Sequence, residues 1–120
     1  RFHGIIKNVI DEIRDARMLL LTSDYEGIPN VVLEAFVAGI PVVSTDCSPG
    51  GARFLLGDDE NGLLAPVGDP IRVAQKMGEI ADNLEEALRL IRCGRERLKE
   101  FGPEKIFFRW EDYLKHVGRL

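Results

Sequence analysis

Short apolar runs alternate with segments of helical periodicity through the first half of the chain. Three runs have the length of strands buried on both faces: Met18 to Thr22, Pro41 to Thr45 and Leu63 to Ala65. Three helices are predicted before and between them: Lys7 to Ala16, Asn30 to Ala38 with Asn30 as its N-cap and Gly39 as its stop, and a short one from Ala52 to Leu56. Apolar strands that alternate with helices predict a parallel α/β sheet.

The second half of the chain is predicted to be helical after the third strand. Asp69 and Pro70 are the cap and the first residue of one helix, a second runs from Leu84 to Gly102, and Pro103 begins the last. An open doubly wound sheet usually has about five or six strands, so we expect part of the sheet to lie outside this sequence. The pattern therefore predicts the α/β class: a partial Rossmann-like parallel sheet flanked by helices, with a helical C-terminal tail.

The loop SDYEGIPN, residues 23–30, leaves the carboxyl end of the first predicted strand, where ligands bind in such sheets. Gly27 has no Cβ, so a ligand can approach its backbone closely, and Pro29 stiffens the turn into the helix. The first N–H groups of that helix, around Asn30 to Leu33, lack partners within it and attract an anion such as a phosphate. The loop is therefore predicted to bind a ligand.

Two carboxylates accompany this loop, Glu26 within it and Glu34 inside the apolar helix. Burying an unpaired carboxylate costs on the order of several kcal/mol, so Glu34 needs a partner. That partner is either the adjacent hydroxyls of a ribose or an arginine inside the fold. Glu26 either accepts hydrogen bonds from sugar hydroxyls or is a solvated loop acid. With a phosphate between the two acids, the ligand is a sugar on a nucleoside diphosphate.

Composition excludes several other classes of function. The 120 residues are expected to form a single domain, 1–120, and a net charge of −4 without a basic run argues against nucleic acid as a partner. No apolar stretch approaches the ~20 residues of a membrane span. Cys47 and Cys93 form no CxxC pair, which favours a reducing, cytoplasmic setting. No clustered His or Asp residues suggest a metal site, so neither a metal nor a cofactor is expected.

Several motifs then follow one another at consistent intervals: EGIPNVVLEA (26–35), GIPVVSTD (39–46), PGG (49–51) and NGLLAPVGDP (61–70). In these motifs, and in the spacing of Glu26 and Glu34, the chain resembles the C-terminal half of family 4 glycosyltransferases of the GT-B fold. The resemblance is close from Ser23 to Pro70 and looser over the helices that follow. It implies a retaining transferase that moves a sugar from a nucleotide-sugar donor to an acceptor.

Position by position, the resemblance implies that Glu26 is the catalytic residue, which contacts hydroxyls of the donor sugar and helps to position it. Glu34 would bind the ribose hydroxyls. The implied donor-binding residues are Glu26, Gly27, Ile28, Pro29, Asn30, Val31 and Glu34. The loop after the second strand would line the same edge through Thr45, Asp46, Gly50 and Gly51. The family often has a glutamate near Phe54, where this chain is apolar.

The resemblance also implies what lies outside the chain. The family's acceptor domain, and the Arg and Lys that neutralise the diphosphate, precede this segment. We therefore expect the donor-binding tail of a larger enzyme, inactive by itself. Its partners would be a nucleotide-diphosphate sugar and an acceptor glycan or lipid-linked glycan. The missing part would also provide any peripheral association with the inner face of a membrane. The main alternative is a non-catalytic GT-B-like module for binding or interaction, and a phosphorylase or epimerase is a weaker one.

The last predicted helix carries aromatic residues whose role is open. Trp110 and Tyr113 could stack on a base, but their helical spacing with Ile106 favours packing in the core. Phe107 and Phe108 are expected at an interface with the missing first domain.

Overall fold

In residues 2–118, the part of the chain that the computed structural model describes, a three-stranded parallel sheet has the order β1-β2-β3. The strands are β1 (Leu19–Leu21), β2 (Val42–Thr45) and β3 (Leu63–Ala65). The helices are α1 (Val9–Ile13), α2 (Asn30–Ala38), α3 (Gly51–Leu56), α4 (Pro70–Ala81), α5 (Leu84–Leu98) and α6 (Pro103–Gly118), with a 3₁₀ turn at Lys99–Phe101 between the last two. The predicted order of elements and the parallel sheet are confirmed.

Local capping explains most of the helix boundaries. The side chains of Asp69 and Asn83 accept hydrogen bonds from backbone N–H groups in the first turns of α4 and α5. Gly39 ends α2 in the left-handed conformation, at φ 74°. Asn30 was predicted as the N-cap of α2, and this is wrong: Pro29 is the N-cap and makes no side-chain capping bond. The N-terminus of α2 is therefore left without a side-chain cap.

Helix α1 is shorter than the predicted span from Lys7 to Ala16. It ends at Ile13, and the N–H of Ala16 closes a tight turn on the Ile13 carbonyl at 2.8 Å. None of its residues is buried, so packing does little to extend it. The strands differ from their predicted bounds by at most one residue at either end.

The core lies on both faces of β2, whose four residues are all buried. Val42 packs on one face with residues of α2 and α3, and Val43 packs on the other with residues of α4 and α5, as expected from the alternation of side chains along a strand. Helix α5 also approaches α2 closely at Gly94, which has no side chain. A Cβ added to Gly94 would lie only 2.5 Å from Cδ1 of Phe36. These contacts fix α2, and with it the loop that precedes it, against the sheet.

The outer edge of β3 is closed by a side chain. Asp46 donates its N–H to the Ala65 carbonyl at 2.8 Å, so Ala65 bonds towards β2 and its neighbour Leu64 presents its N–H to the outer edge. That N–H donates to Oδ1 of Asp59 at 2.7 Å. Asp59 is in the left-handed region at φ 61°, a conformation that Asp tolerates better than most residues. The Asp59 carboxylate therefore satisfies an N–H group that no strand pairs with in the described residues.

The turn around this residue, residues 57–61, is called the Asp59 turn below, and two cations from the helices hold it. Lys76 of α4 donates to Oδ2 of Asp59 at 2.8 Å. Arg89 of α5 donates to the backbone carbonyls of Asp59 and Glu60, at 3.2 and 3.1 Å. Partial burial acts to raise the pKa of the Asp59 carboxyl, but the hydrogen bonds from Lys76 and from the Leu64 N–H outweigh it and lower that pKa.

Helix α6 projects from the rest of the fold and packs mainly on the 3₁₀ turn. Trp110 and Tyr113 were predicted to pack in the core, and this is wrong, because they are 60% and 56% exposed. Their rings instead contact each other edge-to-face, with the ring centroids 5.9 Å apart. Among residues 2–118 no element covers the apolar stripe of α6, so its helical spacing does not signal a core here. Phe107 and Phe108 are exposed as well, and their place in an interface stays a prediction.

Candidate functional site

The loops that follow the three strands meet at the carboxyl edge of the sheet. Residues 22–29, called the Glu26 loop below, follow β1, and residues 46–50 follow β2. Tyr25 and Ser48 form a parallel bridge between these two loops, and the N–H of Glu26 donates to the Ser48 carbonyl at 3.1 Å. Parallel pairing thus continues past the ends of β1 and β2, and it fixes the backbone of Glu26 at the edge where ligands bind in such sheets.

Two hydroxyl groups hold the inside of the Glu26 loop. The side chain of Thr45, at the end of β2, is almost fully buried and donates to the Ser23 carbonyl at 2.5 Å. The Ser23 hydroxyl in turn donates to Oε1 of Glu26 at 2.7 Å. Thr45, predicted to line the ligand edge, therefore supports the backbone next to Glu26 from beneath the loop, and it also lines a cavity at that edge.

Close backbone packing replaces side chains where the two loops touch. Gly51 is the first residue of α3, and a Cβ built there would lie 1.4 Å from the Gly27 carbonyl oxygen. Gly50, the N-cap of α3, has φ 103°, a backbone conformation that residues other than glycine rarely adopt. The two glycines of the PGG motif are therefore required by the geometry of the loops, and Gly51 fixes how near the Gly27 backbone comes to α3.

The Glu26 loop ends at the N-terminus of α2. Pro29 is buried, Asn30 and Ile28 are exposed, and Val31 is half-buried. The N–H of Val32 donates to the Pro29 carbonyl at 3.1 Å, while the N–H groups of Asn30 and Val31 come before the first bond of the helix. Together with the absence of a side-chain cap within residues 2–118, this leaves the start of α2 suited to an anionic group.

Glu34 lies one turn into α2 and is half-buried, although Val32 and Phe36 on the same helix are buried fully. The sequence left open whether an arginine of the fold pairs with this carboxylate. Between Phe2 and Gly118 the structure gives Glu34 no salt bridge. A partly buried carboxylate without a cation can still accept hydrogen bonds from a ligand.

Asp46, predicted to line the ligand edge, binds an arginine that the sequence analysis missed. Arg53 of α3 donates from Nε to Oδ1 of Asp46 at 3.1 Å and from Nη2 to Oδ2 at 2.5 Å, and it also pairs with Asp58. The hydrogen bond to Asp46 raises the pKa of Arg53. These residues line an open cavity of about 450 Å³ that extends to Pro66 and Val67. The seven-residue separation crosses a loop and a helix start, so no periodic pattern identifies the pair.

A second cavity, of about 320 Å³, opens at the carboxyl edge itself. It is lined by the last residue of β2, by residues that follow β1 and β3, and by the first turns of α4: Thr45, Thr22, Asp24, Gly68, Val73 and Met77. Neither cavity is lined by Glu26 or Glu34. The edge of the sheet is thus concave beside the Glu26 loop, with hydroxyl and carboxylate groups at its rim.

The described residues contain no group of three or more His, Cys, Asp or Glu side chains that could hold a metal ion. The absence of a metal and of a cofactor stays a prediction. No helix between residues 2 and 118 has both the length and the apolar character needed to cross a bilayer.

Comparison with known proteins decides the family. Residues 1–83 match the family described as Glycosyl transferases group 1. The chain belongs to this family. An uncharacterized glycosyltransferase of Haemophilus influenzae is 33% identical over 94 residues, which are 78% of this chain and 26% of the relative. The group 1 resemblance therefore extends through the strands, the Glu26 loop and α4.

A second relative covers nearly the whole chain. It is the GalNAc-alpha-(1->4)-GalNAc-alpha-(1->3)-diNAcBac-PP-undecaprenol alpha-1,4-N-acetyl-D-galactosaminyltransferase of Campylobacter jejuni, which is 28% identical over 119 residues, 99% of this chain and 32% of the relative. This group 1 chain thus spans about a quarter to a third of the length of the two relatives.

Among solved structures, the chain is similar to a variant of S. aureus TarM in complex with Fondaparinux, alpha-GlcNAc-glycerol and UDP. The TM-score is 0.75 and the identity is 26%, over 86% of this chain and 21% of TarM. The α/β fold predicted from the sequence, a partial sheet of the GT-B type, is confirmed by this likeness.

Proposed function

We propose that the chain is the donor-binding part of a retaining family 4 glycosyltransferase of the hexosyl type, which transfers a sugar from a nucleotide-sugar to an acceptor. The observation that carries the proposal is the Glu26 loop. It lies at the carboxyl edge of a parallel sheet, is pinned to the neighbouring loop by the bond from Glu26 to Ser48, and leads into the uncapped start of α2. An acid is thus fixed beside an anion-binding helix terminus.

In this proposal the diphosphate of the donor lies at the N-terminus of α2. Cleavage of the bond between sugar and phosphate builds negative charge on the diphosphate, and backbone N–H groups that are already oriented stabilise that charge. Glu26 accepts hydrogen bonds from hydroxyls of the donor sugar and orients it for transfer. Glu34, one turn along the helix, accepts hydrogen bonds from the ribose hydroxyls. A ligand could approach the Gly27 backbone closely, because no Cβ stands in the way and even an added one would meet no atom within 4 Å.

The transfer itself requires a longer polypeptide than this chain. Each of the two relatives is about three times as long as this chain, and in this proposal the acceptor domain and the cations for the diphosphate belong to a part of the polypeptide outside these residues. The name of the Campylobacter jejuni enzyme includes undecaprenol, which supports a glycan or lipid-linked acceptor. The TarM complex includes UDP, which supports a nucleotide-sugar donor. A cytoplasmic location at the inner face of a membrane is consistent with such an acceptor.

The test uses the full-length protein, with a panel of UDP-, GDP- and ADP-sugars in calorimetric binding and in transfer assays. Glu26→Gln and Glu34→Gln each remove a charged acceptor of a hydrogen bond. Such a bond contributes about 1.5–3 kcal/mol, so donor binding should weaken by about 10- to 100-fold. Glu85→Gln, an exposed acid in the first turn of α5, is the matched control and should bind donor as the unmodified protein does.

Two results would contradict this function. Unchanged donor binding by both variants would remove Glu26 and Glu34 from the site. Donor binding by the full-length protein without transfer to any acceptor would instead favour the non-catalytic binding module.

A further inference from the structure

The Glu26 side chain is held by one neighbour. Ser23 donates its hydroxyl to Oε1 at 2.7 Å, in a partly buried position. Within the part of the chain that the structure describes, no hydrogen bond reaches the second oxygen, Oε2. A carboxylate accepts hydrogen bonds at both oxygens, so one oxygen of Glu26 is fixed by the fold and the other is free for a ligand.

We propose that Ser23 is a positioning residue for Glu26, and this inference rests on the proposed function. A glutamate side chain in a loop has several rotamers of similar energy. The bond from Ser23 selects the rotamer in which Oε1 faces the interior of the loop, and it thereby orients Oε2. Ser23 itself need not touch the donor: it acts through the carboxylate that does.

The position of Ser23 is determined in turn by the end of β2. The buried hydroxyl of Thr45 donates to the Ser23 carbonyl at 2.5 Å, so the backbone that carries the Ser23 hydroxyl is anchored to the central strand of the sheet. Thr45, Ser23 and Glu26 form a continuous series of hydrogen bonds from the sheet to the ligand edge. The N–H of Glu26, bonded to Ser48, fixes the far end of the same series. The orientation of the carboxylate is thus set before any ligand arrives, as preorganisation requires.

Three variants of the full-length protein test the inference. The kinetics of transfer are measured with the donor that the panel of nucleotide-sugars identifies. Ser23→Ala should lower kcat/KM for the donor by about tenfold, the value of one hydrogen bond to a charged group. Ser23→Thr keeps a hydroxyl at the same atom position and should restore most of that loss. Ser23→Cys, nearly isosteric with serine but a weak donor, should behave like Ser23→Ala. Melting temperatures of all three identify any variant that is poorly folded.

A double-mutant cycle with Glu26→Ala separates positioning from a general effect on the loop. If Ser23 acts through Glu26, the Ser23→Ala change should alter kcat/KM by less than about twofold once the carboxylate is gone. An equal loss in both backgrounds would overturn the inference, as would an unchanged kcat/KM in Ser23→Ala alone. Should Glu26→Ala itself leave donor kinetics unchanged, the proposed function fails and the inference fails with it. Additive effects with a strong Glu26→Ala loss refute the inference alone.

Discussion

The Glu26 loop follows the carboxyl end of β1, and the Asp59 turn precedes the amino end of β3. The acids in these two segments have different hydrogen-bond donors. Asp59 accepts hydrogen bonds from the Lys76 ammonium and from a backbone N–H, and its pKa is lowered. Within residues 2–118 the donor to the Glu26 side chain is a neutral group, the hydroxyl of Ser23. Both segments are held firmly, but one is held by ion pairs and the other by hydroxyl groups and close backbone contact.

The difference separates structural acids from candidate functional ones. A carboxylate neutralised by a cation contributes to folding, and a ligand would have to displace that cation. A carboxylate oriented by a neutral donor has no cation for a ligand to displace and keeps a free oxygen that can accept from the ligand. By this criterion Asp46, bound by Arg53, belongs with Asp59. Glu34 resembles Glu26 only in that no salt bridge within residues 2–118 would have to be displaced.

The largest expected effect comes from Gly51→Ala, which attacks the close contact that holds the Glu26 loop. The added Cβ would lie 1.4 Å from the Gly27 carbonyl oxygen, so the loop or α3 must move. We expect the free energy of unfolding to fall by about 3 kcal/mol and donor binding to be lost, because overpacking against backbone relaxes poorly. Urea denaturation and calorimetry measure the two. Gly27→Ala, which meets no atom within 4 Å, is the stability control and should unfold normally.

A smaller effect is expected from Asp59→Asn, which attacks the ion pair of the Asp59 turn. The loss of a charged hydrogen bond, reduced for a carboxylate that is 41% exposed, should lower the free energy of unfolding by about 1–2 kcal/mol. Donor affinity per folded molecule should stay unchanged, in contrast to the Glu26 variants. The control is Glu96→Gln, which breaks the exposed pair with Lys99 and should change stability by less than about 0.5 kcal/mol. A loss of donor binding in Asp59→Asn would erase the distinction between the two segments.

The smallest effect concerns acid stability. A carboxyl whose pKa is lowered by folding stabilises the protein fully above its unfolded pKa, about 3.9 for Asp, and that contribution is lost as the pH falls through the lowered folded value. Stability should therefore fall with pH below about 4, and Asp59→Asn should flatten this dependence. Urea denaturation at a series of acid pH values measures it. The same slope in the variant would show that other carboxyls, such as Glu86 with its lowered pKa, account for the effect.

The fold was largely predictable because its signals are local. Apolar runs, the cap at Asp69 and the stop at Gly39 each act within a few residues, and the corresponding elements form where the sequence predicts them. The start of α2 was misjudged since Asn is a common cap, yet the restricted backbone of Pro29 takes that place. The prediction for α6 was wrong for another reason: an apolar stripe favours burial, but it does not show that other residues of the chain cover it.

The candidate site was predictable only in part. The Glu26 loop and Gly27 follow from the position of a loop at the carboxyl edge of a strand. The role of Ser23 depends on a hydroxyl three residues before Glu26 in an irregular loop, and only its backbone conformation brings the two together. The partners in the Arg53–Asp46 and Lys76–Asp59 pairs are 7 and 17 residues apart and lie in different elements, so no periodic pattern predicts these pairs.

The carboxylate on the rim of β3 has a consequence for how these molecules behave in concentrated solution. An uncovered edge strand has unpaired N–H and C=O groups, which can pair with the edge strand of another molecule. Repeated pairing of this kind leads to aggregation. Because Asp59 occupies the Leu64 N–H, an incoming strand must first displace a charged group that Lys76 also retains. We therefore expect the carboxylate that holds the turn to disfavour pairing between copies of the chain at this edge as well.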